Sequence, residues 1–441
     1  MRRLIGLYTV IAVIIASAGS FAPMRQSDWS QWLGPHRDGV TQESSGYPKG
    51  WPPKVLWRAK VGYGISSPLI VRDRVYTVGW SKNNGDRVMC LNAATGKTIW
   101  SQSYPSPPYT RKGAAHPDTY KGVMATPAFD LASGMLYTLS CDGLLCCWNT
   151  NHGGKRRWSV SLSDKYHIQD VKPEFNGFVP SPLLYGRWVI IEAGAAEGNL
   201  LAFDKRTGAL QWVSASKDAM GVGSPTVMKV DGVPCVAAIT RQSFLVVRMD
   251  KGHLGDTLLE YPWPSHYAEN SPSPVVDGNR VFITMCESSG RRTALLSIGL
   301  ELPGHVRVDY TTTDFFTCTS TAVLFQGYLY FLSGRRLQCV DMVSGKVMWS
   351  SPKIFVENSG FGSEVGNLLV TGDSKLLIWD GDRGGDLVLA DASPTAPYHE
   401  LARIKGIIPT GTCYPMVALG GGRIVCRNDV GDIVCLSVVV R

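Results

Sequence analysis

Sustained helical periodicity is missing from this chain. No long stretch repeats apolar residues every 3.6 positions, which argues against a helical protein. Charge is also scarce: Asp, Glu, Lys and Arg make up 18% of the residues, and the formal net charge is only +8. The Lys and Arg are dispersed, so the basic stripe that a nucleic-acid partner requires is absent. No C-x-x-C-H occurs to attach a haem. No H-x-x-x-H or H-E-x-x-H pairs the histidines for zinc, and His116, His167, His266 and His399 fall in predicted loops. Nothing resembles a nucleophile elbow or a phosphate-cradling loop.

What is present is punctuation and β-forming residues. Gly (47) and Pro (26) interrupt runs rich in Val, Leu and Trp, the composition of many short strands joined by tight turns. The N-terminus predicts an export signal over 1–18: Arg2 and Arg3 precede an apolar run, and Ala16-Ser17-Ala18 offers a cleavage site. The rival is an uncleaved anchor, for which the run is short. Either way the expected location is the cell envelope, periplasmic or secreted. The eleven cysteines are odd in number, so at least one stays outside any intramolecular pair. Cys90, Cys339, Cys426 and Cys435 lie in apolar strand-like runs and read as small buried hydrophobes.

One signature recurs along the chain. It is LNAATGKTIW at 91–100, LLAFDKRTGALQW at 200–212, LQCVDMVSGKVMW at 337–349, and in weaker form LLCCWNTNHGGKRRW at 144–158. Asp or Asn starts a turn, Gly closes it, and a Trp follows on the outgoing strand. There a flat ring can fill the space between neighbouring sheets. A second signature precedes it: SSPLIVRDRVYTV from Ser66, ATPAFDLASGMLYTL from Ala125, PSPLLYGRWVII from Pro180, and relatives from Gly223 and Pro272. Each reads as a strand opened by Ser/Thr-Pro, a turn, and a second apolar strand.

Joined, the two signatures make four antiparallel strands per unit, the size of a propeller blade. Eight units begin near Gly62, Gly122, Gly177, Met220, Ala268, Phe315, Phe361 and Gly411, the fifth to seventh degenerate. The eighth lacks an outer strand, and KVLWRAKVG (54–62) supplies one, with Trp57 in the place of Trp100. The prediction is an all-β, eight-bladed propeller over 54–441, closed by its own N-terminal strand, with a leader over 19–53 packed on it. Trp29, Trp32 and Trp51 are expected to pack that leader across the propeller's side.

The L-x-A-x-x-x-T-G-K-x-x-W signature resembles the repeat of pyrroloquinoline-quinone (PQQ) dehydrogenases. It also resembles that of the BamB-like propeller serving outer-membrane β-barrel assembly. DWSQWLGPHRDGV (28–40) looks like the leader of exported PQQ-repeat-like proteins. The resemblance covers the chain from about Asp28 to Arg441 and implies a fold, since one propeller hosts many functions. The dehydrogenase branch implies PQQ with Ca²⁺ held by Glu and Asn, an Asp base, and often a vicinal disulfide. Glu269-Asn270 is the candidate metal pair, placed just before the inner strand of the fifth unit. Cys146 and Cys147 are adjacent, but in a strand they point to opposite faces, so a cofactor-facing disulfide is not expected.

The binding-module branch needs only a surface. Loops entering the inner strands and turns between second and third strands share one propeller face. That face gathers Tyr109 and Arg111 in a long Tyr/Pro/Arg loop, with Arg241-Gln242 and Arg335-Arg336 in two turns. Such residues suit a peptide or an anionic, carboxylate-bearing ligand. The expectation is therefore an exported, non-catalytic propeller that binds an envelope protein, peptide or small anion. A PQQ-dependent oxidoreductase is the alternative.

Overall fold

The computed structural model describes residues 28–106, 122–168, 177–265, 270–287, 290–355, 366–381 and 384–439. The signal segment, Tyr109, Arg111, His116, His266 and Glu269 lie outside them. Alternating short strands and tight turns produce eight four-stranded antiparallel sheets. In the first blade these are Leu69–Val71, Arg74–Ser81, Gly85–Asn92 and Thr98–Tyr104, from the axis outward. The degenerate fifth, sixth and seventh units each complete a sheet as well. In the eighth, Ala418–Gly420, Arg423–Arg427 and Asp432–Ser437 are joined by Lys54–Lys60, which pairs antiparallel with Asp432–Ser437 from Lys54↔Ser437 to Lys60↔Asp432. An eight-bladed propeller closed by its N-terminal strand is the fold.

Both sequence signatures are contacts between blades. At three successive junctions the Trp of one outer strand lies beneath the turn glycine of the next blade. A Cβ on Gly96, Gly154 or Gly208 would run into the rings of Trp57, Trp100 and Trp158 respectively, and all three glycines have positive φ. Only Gly meets both demands. The indole N–H is used too: Trp57 Nε1 donates to Ala93 O (2.9 Å), Trp158 Nε1 to Lys205 O (3.0 Å) and Trp349 Nε1 to Ser393 O (2.7 Å).

The Ser/Thr-Pro signature forms a belt around the axis. Ser67 N donates to Thr126 Oγ1 (3.1 Å), Thr126 N to Ser181 Oγ (3.0 Å), and Ser181 N to Ser224 Oγ (2.9 Å). Ser224 N then donates to Ser273 Oγ (3.1 Å) and Ser273 N to Thr321 Oγ1 (3.0 Å), while Met416 N of the last blade donates to Ser67 Oγ (2.9 Å). The belt residue of the seventh blade falls outside the described residues. In five of these positions Pro follows, which holds the Ser or Thr extended and keeps its N–H aimed at the neighbouring blade. Each link stabilises by about 1 kcal/mol.

The leader runs along the inner strands rather than across the propeller's side. Trp29 exchanges backbone hydrogen bonds with Ile70 of the first blade, and Phe129 N of the second donates to Ser30 O. Trp32 Nε1 reaches the belt at Ser273 Oγ (3.1 Å), and Val40 bridges Val370 of the seventh blade. Inner strands present one unpaired edge to the channel, and a chain threaded there satisfies part of it. Trp29 is buried, and the Trp51 indole donates within the leader to Ser45 O (2.8 Å). Ser45 in turn holds Asp373 at the opposite end of the ring from the belt, through its N–H (2.7 Å) and hydroxyl (2.7 Å).

Candidate functional site

The face that carries the inter-blade connections and the second-to-third turns is the candidate surface. Four residues singled out from the sequence reach it in two turns. In the fourth blade the turn between Val233–Ile239 and Ser243–Arg248 holds Arg241, half-buried, and Gln242, exposed. This turn is pinned from below, because Gln242 N donates to Asp218 Oδ2 (2.8 Å) and Arg241 N to Ala219 O (3.0 Å). In the sixth blade the turn between Tyr328–Ser333 and Arg336–Asp341 holds Arg335 and Arg336. Arg335 is buried at φ +67°, and its carbonyl accepts from Ile354 N (3.0 Å). Arg336 is exposed and donates from one guanidinium nitrogen to Ser351 O (2.8 Å).

Sequence reading missed the arginines between them. The fifth blade begins its third strand, Gly290–Ile298, with Arg291 and Arg292. The Arg291 guanidinium lies 4.4 Å over the Phe316 ring and that of Arg292 4.3 Å over Trp263. The available signal was positional: the pair opens the third strand just after the turn that corresponds to the two already noticed, opposite Cys286 and Met285 of the second strand. Arg241, Arg291 and Arg336 thus place a guanidinium at or beside the second-to-third hairpin of three consecutive blades, while Arg335 is buried. Beside them Cys286 and Cys318 form a disulfide that ties the fifth blade's second strand to the connection leaving that blade. The other nine cysteines are buried free thiols.

Below these turns runs a polar network that the sequence did not disclose. Glu192 lies in Trp188–Ala195, the second strand of the third blade, and is fully buried. Its Oε1 accepts from Gly221 N (2.7 Å), and Oε2 has no hydrogen-bond partner among the described residues. Buried Asn199 donates to Asp218 O (2.8 Å), and Asp218 Oδ2 also accepts from Thr240 Oγ1 (2.5 Å). Asn270, fully buried, donates to Thr240 O (2.7 Å). Like Glu192, Asn199 and Asn270 each leave a side-chain oxygen without a partner. Asn270 from the predicted metal pair therefore lies beside Thr240 in this network, which Glu192 joins through its nearness to Asp218; Glu269 lies outside the described residues. A lone acid inside the apolar run WVIIEAGA was the signal that could have found Glu192.

Burial pushes the Glu192 carboxyl up to about 8, with Asp218 nearby adding to the rise. An acid whose folded pKa exceeds its unfolded value binds its proton more tightly when folded, so stability falls as pH climbs from the unfolded pKa toward the folded one. Glu192→Gln removes that loss. In urea unfolding followed from pH 5 to pH 8, the wild type is expected to lose up to ~4 kcal/mol relative to Glu192→Gln. Parallel profiles for the two proteins sink this assignment.

Other candidates are dispersed. Cys146 packs in the core between the first and second blades and Cys147 in the core between the second and third, as strand alternation requires. Both thiols are free, with pKa values pushed up to about 12 by burial. His167 and His399 stand exposed, each paired with a single carboxylate, Glu197 and Asp391. Among the described residues no group of three His, Cys, Asp or Glu could hold a metal ion. Nor is any helix there long and apolar enough to cross a membrane.

No curated protein sequence matches the chain. The structure of BamB from Moraxella catarrhalis is similar at 12% identity and a TM-score of 0.58, covering 87% of this chain and 99% of that one. Saccharomyces cerevisiae Sqt1 has a TM-score of 0.54 at 11% identity, covering 87% of this chain and 99% of its own. The quinohemoprotein alcohol dehydrogenase ADHIIG from Pseudomonas putida HK5 has a TM-score of 0.51 at 12% identity, covering 94% and 81%. At such identities these likenesses concern the fold alone. The family described as outer membrane protein assembly factor BamB matches over residues 53–125 and 118–351. With well over half of the chain matched, and with the Trp-under-glycine contact repeated at three successive junctions of a closed ring, this protein belongs to that family of PQQ-repeat β-propellers.

Proposed function

We propose that this protein is an exported binding propeller whose arginine-bearing face captures an acidic, extended segment of an envelope protein. The observation that carries the reading is the run of arginines at the second-to-third hairpins of three adjacent blades: half-buried Arg241 in its turn, Arg291 and Arg292 at the head of a strand, and exposed Arg336. Guanidinium groups match carboxylates in a planar, two-bond fashion, and arginines resting on aromatic rings are pre-oriented for it. Gln242, exposed beside Arg241, adds an amide able to bond a strand's backbone. Membership of a family described by outer-membrane assembly supports an envelope partner, and the predicted signal segment supports export. In the test, a fluorescein-labelled peptide rich in Asp and Glu is titrated and followed by anisotropy. The wild type binds, and a charge-reversed Arg291→Glu/Arg336→Glu protein binds at least about tenfold more weakly. Binding that is absent, or indifferent to the charge reversal, overturns the proposal.

One observation favours a second reading. The oxygens left without partners on Glu192 and Asn270, with Asn199 beside them, are the donor set a hard cation takes. In a quinoprotein reading Glu192 and Asn270 would hold Ca²⁺ against PQQ, and the cation would polarise the quinone oxygens. The buried, separated thiols of Cys146 and Cys147 supply no disulfide to pack on a quinone. Quinone absorbance retained after desalting with Ca²⁺, and lost in Glu192→Gln, would favour this reading over the binding module.

A further inference from the structure

The belt around the axis is saturated with donated backbone N–H groups but not with acceptors. Ser67, Thr126, Ser181, Ser224, Ser273 and Thr321 each accept one backbone N–H through the side-chain oxygen. A hydroxyl also carries one proton to donate, and among the described residues no hydrogen bond donated by any of these six hydroxyls is found. Ser273 receives a second donor instead, the Trp32 indole. Six O–H groups thus stand around the axis with no donated hydrogen bond among the described residues.

Into this ring the leader inserts a cation. Arg37 is buried, and its guanidinium reaches the belt at the third blade, donating to Pro182 O (3.0 Å) and Ser181 O (3.5 Å). These two bonds use two of the five N–H donors of a guanidinium. The Nε atom is buried with no hydrogen-bond partner, and no carboxylate pairs with Arg37 among the described residues. Burial draws Arg37 down to about 9, which still leaves it charged at neutral pH. A buried, uncompensated charge is costly, and proteins ordinarily pair it. Hydroxyl protons left to donate and an incompletely used guanidinium have one complement in common, a compact group with several acceptor oxygens and negative charge.

We propose that Arg37 and the axial hydroxyl ring form a binding site for a small oxyanion in the channel of the propeller. The site is distinct from the arginine-bearing face and does not depend on the function assigned to it. Phosphate, sulfate and a small carboxylate share this chemistry, so calorimetric titrations with inorganic phosphate, sulfate and malonate identify which the site prefers. At least one is expected to bind the wild type saturably, at one per chain. Arg37→Lys keeps the charge but loses the fork and Nε–H, and weakens that binding by at least about tenfold. If Arg37→Lys fails to fold, Thr126→Val serves, leaving the guanidinium in place and removing one hydroxyl; it is expected to weaken binding severalfold. Lys97→Glu, in an exposed turn of the first blade and outside both sites, leaves the titration unchanged, separating a channel site from general attraction to a basic surface. The proposal is overturned if none of the three anions binds saturably. It is equally overturned if the folded channel variant binds like the wild type.

Discussion

A chain that begins at Gly62 does not fold into a stable monomeric ring. It lacks Lys54–Lys60, and with it the outer strand of the eighth blade. Three losses coincide. The Trp57 ring, buried beneath Gly96 of the first blade, is gone together with its hydrogen bond to Ala93 O. Loss of a buried aromatic side chain costs about 3–5 kcal/mol by itself. Asp432–Ser437 becomes an open sheet edge, a template for pairing with other chains. The inner strands lose the leader that satisfies part of their exposed edge at Ile70, Phe129 and Val370. Since a whole domain is stable by roughly 5–15 kcal/mol, the sum exceeds what the ring can lose. Light scattering after size exclusion is expected to show aggregates, and urea unfolding to lose its cooperative transition. A monomeric product with an unaltered midpoint contradicts the closure described here.

Arg427→Met is expected to cost about 3–5 kcal/mol, because it leaves several buried carbonyl oxygens unsatisfied at about 1–3 kcal/mol each. Arg427 ends the second strand of the eighth blade and is fully buried. One guanidinium nitrogen donates to Thr77 Oγ1 (2.9 Å) and Val78 O (2.7 Å) of the first blade. The other donates to Gly62 O (3.1 Å) and Gly64 O (2.8 Å), on the chain that leaves the closing strand. A single side chain thus binds the last blade, the first blade and the clasp between them. Burial lowers its pKa to about 10 while nearby Asp429 opposes the fall, so it remains protonated at neutral pH. Methionine fills comparable space but strands three backbone carbonyls, each unsatisfied group costing about 1–3 kcal/mol. Lysine does not rescue, because one ammonium cannot span acceptors arranged for a planar fork. Urea midpoints decide the matter: a loss below about 1 kcal/mol would falsify the role of Arg427 as the pin of the seam.

The arginine turns were legible from the sequence as positions, because a hairpin turn between two apolar strands announces its own place. Their neighbours were not. Arg291 and Arg292 sit over Phe316 and Trp263, which belong to segments on either side of their blade in the chain. The opposed faces of Cys146 and Cys147 could be read from alternation alone. Glu192 could be seen as an anomaly, but not its network, since Gly221 lies in the next inter-blade connection and Asn270 in the one after.

Local spacing by itself determined the blade, the ring and its closure. A turn glycine beneath a Trp and a Ser/Thr before a Pro are short-range patterns, and repeating them leaves an incomplete last unit that only the Trp57 strand can match. Tertiary structure alone decided what occupies the axis. Arg37 meets Ser181 and Pro182 across more than 140 residues, and Trp32 meets Ser273 across 241. No local propensity encodes such pairs, because they exist only once eight sheets have curved round and brought their inner edges to a common channel. The same closure creates the pin at Arg427, whose partners at Gly62 and Thr77 lie at the other end of the chain. A buried charge has no local signature when its partners are backbone carbonyls, since every residue has one.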